Sequence, residues 1–111
     1  MESKPVISYD DFAKIELKTG KILEAAAHPD ADKLLVLKVD VGDRQLQLVA
    51  GIKATYTPES LIGKTVIVLT NLAPRPLRGV ESQGMVLAAT TESGVRVLTV
   101  DGDALAGSPV K

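Results

Sequence analysis

Cysteine and tryptophan are both absent from this chain of 111 residues. The lack of cysteine excludes disulfides, thiolate metal sites and thiol nucleophiles, and it is compatible with a reducing compartment. Aromatic residues make up only 3%, namely Tyr9, Phe12 and Tyr56, so the usual base-stacking platform of single-strand nucleic-acid binders is missing. No apolar run approaches the roughly 20 residues that span a bilayer, and the opening Met1-Glu2-Ser3-Lys4-Pro5 lacks a signal-peptide core. A cytoplasmic location without a membrane partner is the expectation. Net charge is only −1, which argues against coating nucleic acid through a whole-molecule positive field.

What is present describes a folded chain. Hydrophobic residues reach 45% and charged residues 24%, values typical of neither disorder nor a fibrous repeat. The length suits one domain spanning 1–111, with a core built from Val, Leu, Ile and Ala, as tightly packed strands require.

Ser8 and Asp10 are candidate caps for a short helical lead-in over 9–14. From Ile15 the pattern alternates through Leu17 and Thr19, is interrupted at Gly20 and continues to Ala27, which predicts a long strand bending at the glycine. His28-Pro29-Asp30-Ala31-Asp32 is a turn by composition. Leu35, Leu37, Val39 and Val41 then line one face of a second strand, Gly42-Asp43 forms a turn, and a third strand over 45–50 puts Leu46, Leu48 and Ala50 on one side. Thr57-Pro58-Glu59 followed by Gly63 predicts one short helix, with an N-cap threonine and proline at its first position. The β-branched run over 65–70 is a buried strand. The stretch 71–84 holds two prolines, two arginines and two glycines, and reads as an irregular loop too long for a tight hairpin. Further strands over 85–89 and 95–100 flank Glu92-Ser93-Gly94, and a polar tail follows from Asp101.

Three strands, a short helix and at least two more strands fit an all-β fold. The order is that of a five-stranded OB barrel with its helix between strands three and four, plus the helical lead-in and C-terminal extension strands.

Little catalytic chemistry is available. Gly63-Lys64-Thr65 resembles the end of a phosphate-binding loop, but Pro58 stands where the first glycine belongs and the lysine leads into a strand. His28 is the sole histidine, so any His-based metal site or Ser/His/Asp relay would have to pass through a turn residue before Pro29. Asp30 and Asp32 lack the further carboxylates a hard cation needs, and a turn-capping role is expected for them. No cofactor, metal or catalytic residue is assigned, and a small hydrolase would lack both base and nucleophile.

Charge is unevenly distributed. Residues 51–80 hold Lys53, Lys64, Arg75 and Arg78 against Glu59 alone. These cations either converge on one face as a polyanion site or form a solvated surface. Arg75 and Arg78 lie in a proline-stiffened segment that loses little backbone entropy on engaging a phosphate. Ser82 and Gln83 add hydrogen-bonding groups beside them. Met85 is either a core residue or an adaptable apolar surface for a base or sugar.

Asp32-Lys33-Leu34-Leu35, Val49-Ala50-Gly51-Ile52, Tyr56-Thr57-Pro58-Glu59, Asn71-Leu72-Ala73-Pro74-Arg75 and Glu81-Ser82-Gln83-Gly84-Met85 occur in this order along the chain. Together they resemble the tRNA-binding domain found at the C-terminus of bacterial methionyl-tRNA synthetases and as a free-standing tRNA-binding protein, similar also to endothelial monocyte-activating polypeptide. The resemblance implies a non-catalytic OB barrel that recognises folded tRNA by shape more than by sequence. It implies a homodimer joined through the lead-in around Phe12 and the C-terminal segment. A methionyl-tRNA synthetase catalytic domain is a further implied partner. Carried onto matching positions, the RNA-facing residues are Lys33, Asn71, Arg75, Arg78, Ser82, Gln83 and Met85; Lys53 joins them on charge and loop position. A relative of the family acts as a secretion-associated chaperone of unfolded peptides, which stands as the alternative.

Overall fold

The Ser8 hydroxyl accepts the Asp11 amide at 3.2 Å and starts the short helix α1 (Tyr9–Ala13), as the capping pattern predicts. The computed structural model describes residues 3–111. Three antiparallel strands follow, β1 (Leu17–Ala27), β2 (Leu35–Asp40) and β3 (Gln45–Ala50). Helix α2 (Pro58–Leu61) comes next, with the Thr57 hydroxyl accepting the Ser60 amide and proline in its first turn. Then come β4 (Thr65–Leu69), β5 (Arg75–Leu77), β6 (Val80–Ser82), β7 (Met85–Val86), β8 (Ala88–Thr91), β9 (Gly94–Val97) and β10 (Pro109–Val110).

The main sheet runs β3-β2-β1-β4-β7, with β10 paired to β1 off that path. With α2 between β3 and β4 this is the expected OB arrangement. Strand β1 makes the barrel possible by changing partners along its length. Leu17 to Lys21 pair with Leu69 to Thr65 of β4, while Lys21 to Ala27 pair with Asp40 to Leu35 of β2. A register irregularity lies between Ile22 and Glu24, just beyond Gly20. Gly20 serves a different need: a Cβ there would fall 2.5 Å from Val39 Cγ1 and 3.1 Å from Val68 Cγ2, so the absence of a side chain lets the barrel walls meet.

Alternation translates directly into burial. Leu35, Leu37, Val39 and Val41 are buried in the core with Ile22, Leu46, Leu48, Val66 and Val68, and Leu61 of α2 joins the same cluster. Each fully buried Leu or Ile contributes about 1.5–3 kcal/mol relative to exposure. Val49 points away from Leu46 and Leu48 yet is also buried, because the 82–84 segment folds over the outer edge of β3.

One segment departs from the sequence reading. The stretch 71–84 is not an irregular loop throughout: β5 and β6 form a hairpin with Arg75 opposite Ser82, Pro76 opposite Glu81 and Leu77 opposite Val80. Its two-residue turn is Arg78-Gly79, both at positive φ, 54° and 89°, the conformation that matches strand twist in a tight hairpin. Hydrogen-bonded and non-bonded pairs alternate outward from such a turn, so Pro76 falls where no amide donor is needed. The C-terminal tail provides an extension strand as expected, β10 paired to β1. Buried Thr19 donates its hydroxyl to the Leu105 carbonyl at 2.8 Å and accepts the Ser108 amide at 2.9 Å, and its backbone bonds Gly107 and Ser108. These bonds seat β10 beside the first residues of β1.

The stretch 85–89 also differs in detail. Its strand divides at Leu87, where the chain leaves β4 and pairs onward with β9.

Candidate nucleic-acid interface

The turn between β1 and β2 is organised by its histidine. Nδ1 of His28 accepts the Asp30 amide at 2.9 Å, which leaves the ring proton on Nε2, and Nε2 donates to the Leu77 carbonyl at 2.9 Å. The Arg78 guanidinium donates to the Asp30 carbonyl at 3.1 Å from the same hairpin. The tip of β5–β6 is thereby docked on the turn that leads to Lys33. A third segment arrives through the Lys53 amide, 3.4 Å from the Lys33 carbonyl.

Between these segments lies a groove of about 370 Å³. Leu34, Ile52, Leu72, Leu77 and Val95 are among its apolar lining residues, and Arg75 and Met85 line it as well. Lys33 and Lys53 are exposed and adjacent in sequence to the lining residues Leu34 and Ile52. Arg75 and Arg78 are exposed too. Among the described residues the ion pairs are Lys14–Asp11, Lys18–Asp43 and Arg44–Asp43, so none of these four cations is neutralised by a direct partner. Met85, which the sequence leaves between core and surface, is 49% exposed. The apolar floor escapes sequence reading because Leu34, Leu72 and Val95 come from separated segments; Leu72, an apolar residue inside a polar stretch, is its one local signal.

Ser82, Gln83 and Asn71 occupy different surroundings. Ser82 is buried, accepts the Val49 amide at 3.0 Å and donates to the Gly84 carbonyl at 3.0 Å. The Gln83 side-chain oxygen accepts the Gln47 amide at 2.8 Å, its backbone amide returns a bond to the Gln47 carbonyl, and Gln47 Nε2 donates to the Glu81 carbonyl. These bonds close the barrel across the free edge of β3. Asn71 accepts the Glu16 amide at 2.9 Å and donates to the Lys14 carbonyl at 2.7 Å, tying the lead-in to the end of β4. Lys64, the remaining cation of the 51–80 segment, lies elsewhere, in a cleft with Tyr56, Thr65 and Arg96.

Every buried side-chain nitrogen or oxygen among the described residues has a hydrogen-bond partner, so no buried polar group is left waiting for a ligand. The described residues contain no cluster of three or more His, Cys, Asp or Glu arranged to hold a metal, and no helix long and apolar enough to cross a membrane. What the geometry offers chemically is a set of exposed cations beside an apolar floor.

The model of a family described as a putative tRNA-binding domain matches residues 17–109. The chain belongs to this tRNA-binding domain family. The family is a non-catalytic module, and its curated members include synthetases. Methionine-tRNA ligase of Chloroherpeton thalassium is 50% identical over 109 residues, a match covering 97% of this chain but only 16% of the ligase. Among solved structures, a MetRS-related protein from Pyrococcus horikoshii superposes with a TM-score of 0.89 at 36% identity, covering 97% of this tRNA-binding domain and 100% of that chain. The CsaA chaperone protein from Picrophilus torridus also superposes with a TM-score of 0.89, at 32% identity, covering 96% and 100%. The tRNA-binding domain fold is therefore shared by proteins named for two different tasks.

Proposed function

We propose that this tRNA-binding domain holds folded tRNA by shape, largely without reading sequence, as the RNA-anchoring module of a methionyl-tRNA synthetase or as a free-standing protein. The observation that carries the reading is that the three segments bearing Lys33, Lys53 and the Arg75/Arg78 pair pack together beside one groove, which Arg75 lines, with none of the four in an ion pair among the described residues. Cations carried on segments that pack together suit phosphates held on a folded backbone, and Met85 offers an apolar contact for a ribose or base. The scarcity of aromatics is consistent with this mode, because contacts to phosphate and 2′-hydroxyl need no stacking platform. Asn71, Ser82 and Gln83 serve it indirectly, by fixing the strands that carry Arg75 and Met85.

A homodimer belongs to the same proposal. Tyr9, Phe12, Ile15 and Leu17 border a cleft with Pro109 and Val110, and Val6 and Ile7 are exposed beside it. Such apolar exposure at the lead-in suits a second copy.

Peptide chaperoning is the second reading, favoured by the groove's apolar lining and by the likeness to CsaA. Binding of folded bulk tRNA, measured against a single-stranded RNA of equal length across a salt series, separates the two. Preference for folded tRNA is expected, with a log-log salt slope that shrinks by roughly 0.7–0.9 for each phosphate contact removed in Arg75→Ala/Arg78→Ala. No binding, or equal binding to both RNAs with an unaltered double mutant, would transfer the assignment to unfolded peptides.

A further inference from the structure

The β5–β6 hairpin carries two of the four cations, yet no strand of the main sheet pairs with it. Its base is held where Gln47 bonds the Glu81 carbonyl and Ser82 bonds Val49. Two bonds with the β1–β2 turn hold its tip, from His28 to the Leu77 carbonyl and from Arg78 to the Asp30 carbonyl. The second cannot persist unaltered if Arg78 turns its guanidinium to a phosphate. His28 then remains as the tip's anchor.

We infer that His28 is a positioning residue for RNA: its ring holds the hairpin tip against the β1–β2 turn and so fixes Arg75 and Arg78 relative to Lys33. This deepens the tRNA reading and rests on it. The ring is well placed for the task. It is 5% exposed, its two nitrogens are bonded on opposite sides, and Leu77 lies between Arg75 and Arg78 in the chain. Because the Asp30 amide occupies Nδ1, the proton is held on Nε2, where it faces the hairpin. A fixed tip presents its cations already ordered. A free tip must be ordered by the ligand, and that ordering is subtracted from affinity.

Two substitutions separate the bonds. His28→Gln places an amide group where Nε2 was and keeps a donor toward Leu77, losing the acceptor for Asp30. His28→Asn keeps an acceptor where Nδ1 was and loses the bond to Leu77. Folded-tRNA affinity is expected to fall roughly five- to tenfold in His28→Asn and to stay within about twofold in His28→Gln. Amide exchange over 77–80 should quicken in His28→Asn alone, with the β2 amides unchanged. In the wild type, bound tRNA should slow exchange over 77–80 more than in β2, a reading that does not depend on either variant folding. Equal loss of affinity in both variants, tracking their melting temperatures, would overturn the inference while leaving the tRNA reading in place; so would wild-type exchange over 77–80 that tRNA does not alter. Failure of the wild type to bind folded tRNA would overturn both.

Discussion

The Ser82 hydroxyl stands 3.0 Å from the Val49 amide and 3.0 Å from the Gly84 carbonyl, accepting from one and donating to the other. A serine thereby does at the edge of β3 what a strand would do with its backbone. Ser82→Ala removes the partner of the Val49 amide and of the Gly84 carbonyl, both bonds being buried. The expected loss is about 1–3 kcal/mol of unfolding free energy, read as a lower denaturation midpoint at unchanged slope. If Ser82 bonded RNA instead, the substitution would weaken binding at full stability.

Gly20 tests how tightly the barrel walls meet. A Cβ added there lies 2.5 Å from Val39 Cγ1 and 3.4 Å from the Asp40 carbonyl, so a side chain or the backbone must shift. Gly20→Ala should destabilise by about 1–3 kcal/mol, as overpacking does in a filled core. Val39→Ala alone should also destabilise, but the two changes together should lose clearly less than their sum in a denaturation cycle, since the second removes the atom the first strikes. Strict additivity would mean that Gly20 is needed for something other than that contact.

Where the chain's own periodicity carried the information, the fold was legible in the sequence. Leu35, Leu37, Val39 and Val41 alternate without interruption, and all four are buried. Thr57 and Pro58 announced α2 because capping is local. Thr19 was not legible in the same way: its partners, Leu105 and Ser108, lie 86 and 89 residues away, and a threonine inside a strand looks ordinary. The β5–β6 turn was missed because Arg78 takes a left-handed conformation more typical of asparagine or glycine. At the candidate interface the cations were visible as composition, whereas the packing of the segments that carry them depends on contacts such as Arg78 to Asp30, across 48 residues. Ser82, Gln83 and Asn71 stand out as polar residues in a loop, and only their partners reveal that their side chains bond the framework.

At the β2–β3 turn, Asp43 faces Lys18 at 3.7 Å and Arg44 at 3.1 Å. Desolvation alone would raise the Asp43 carboxyl, but the Lys18 and Arg44 charges and its hydrogen bonds outweigh that and hold it below the ordinary carboxylate value. A carboxyl lowered in the folded state stabilises above its unfolded value, and the contribution disappears as pH falls through the lowered folded value. Asp43→Asn should therefore melt slightly below the wild type near neutral pH. The gap should close in acid, below the ordinary carboxylate range, and narrow in high salt, where exposed pairs are screened. A gap that persists unchanged in acid would place the effect in turn geometry and not in charge.

Arg78 allows stability and binding to be moved in opposite directions. It is the described non-glycine residue with positive φ, at 54°, and Gly79 follows at 89°. Arg78→Asn creates an Asn-Gly turn, the pairing that best tolerates two consecutive left-handed residues. The bond from Arg78 to the Asp30 carbonyl is exposed and contributes little when lost. Stability should hold or rise by a few tenths of a kcal/mol, up to about 1 kcal/mol. Folded-tRNA affinity should fall nonetheless, with a salt slope smaller by roughly 0.7–0.9, one phosphate contact's share. Melting temperature and RNA titration on the same variant decide the matter. A more stable hairpin with weaker, less salt-sensitive binding assigns Arg78 to the ligand, whereas unchanged binding leaves its guanidinium with the Asp30 carbonyl and shifts the electrostatic contact to Arg75, Lys33 and Lys53.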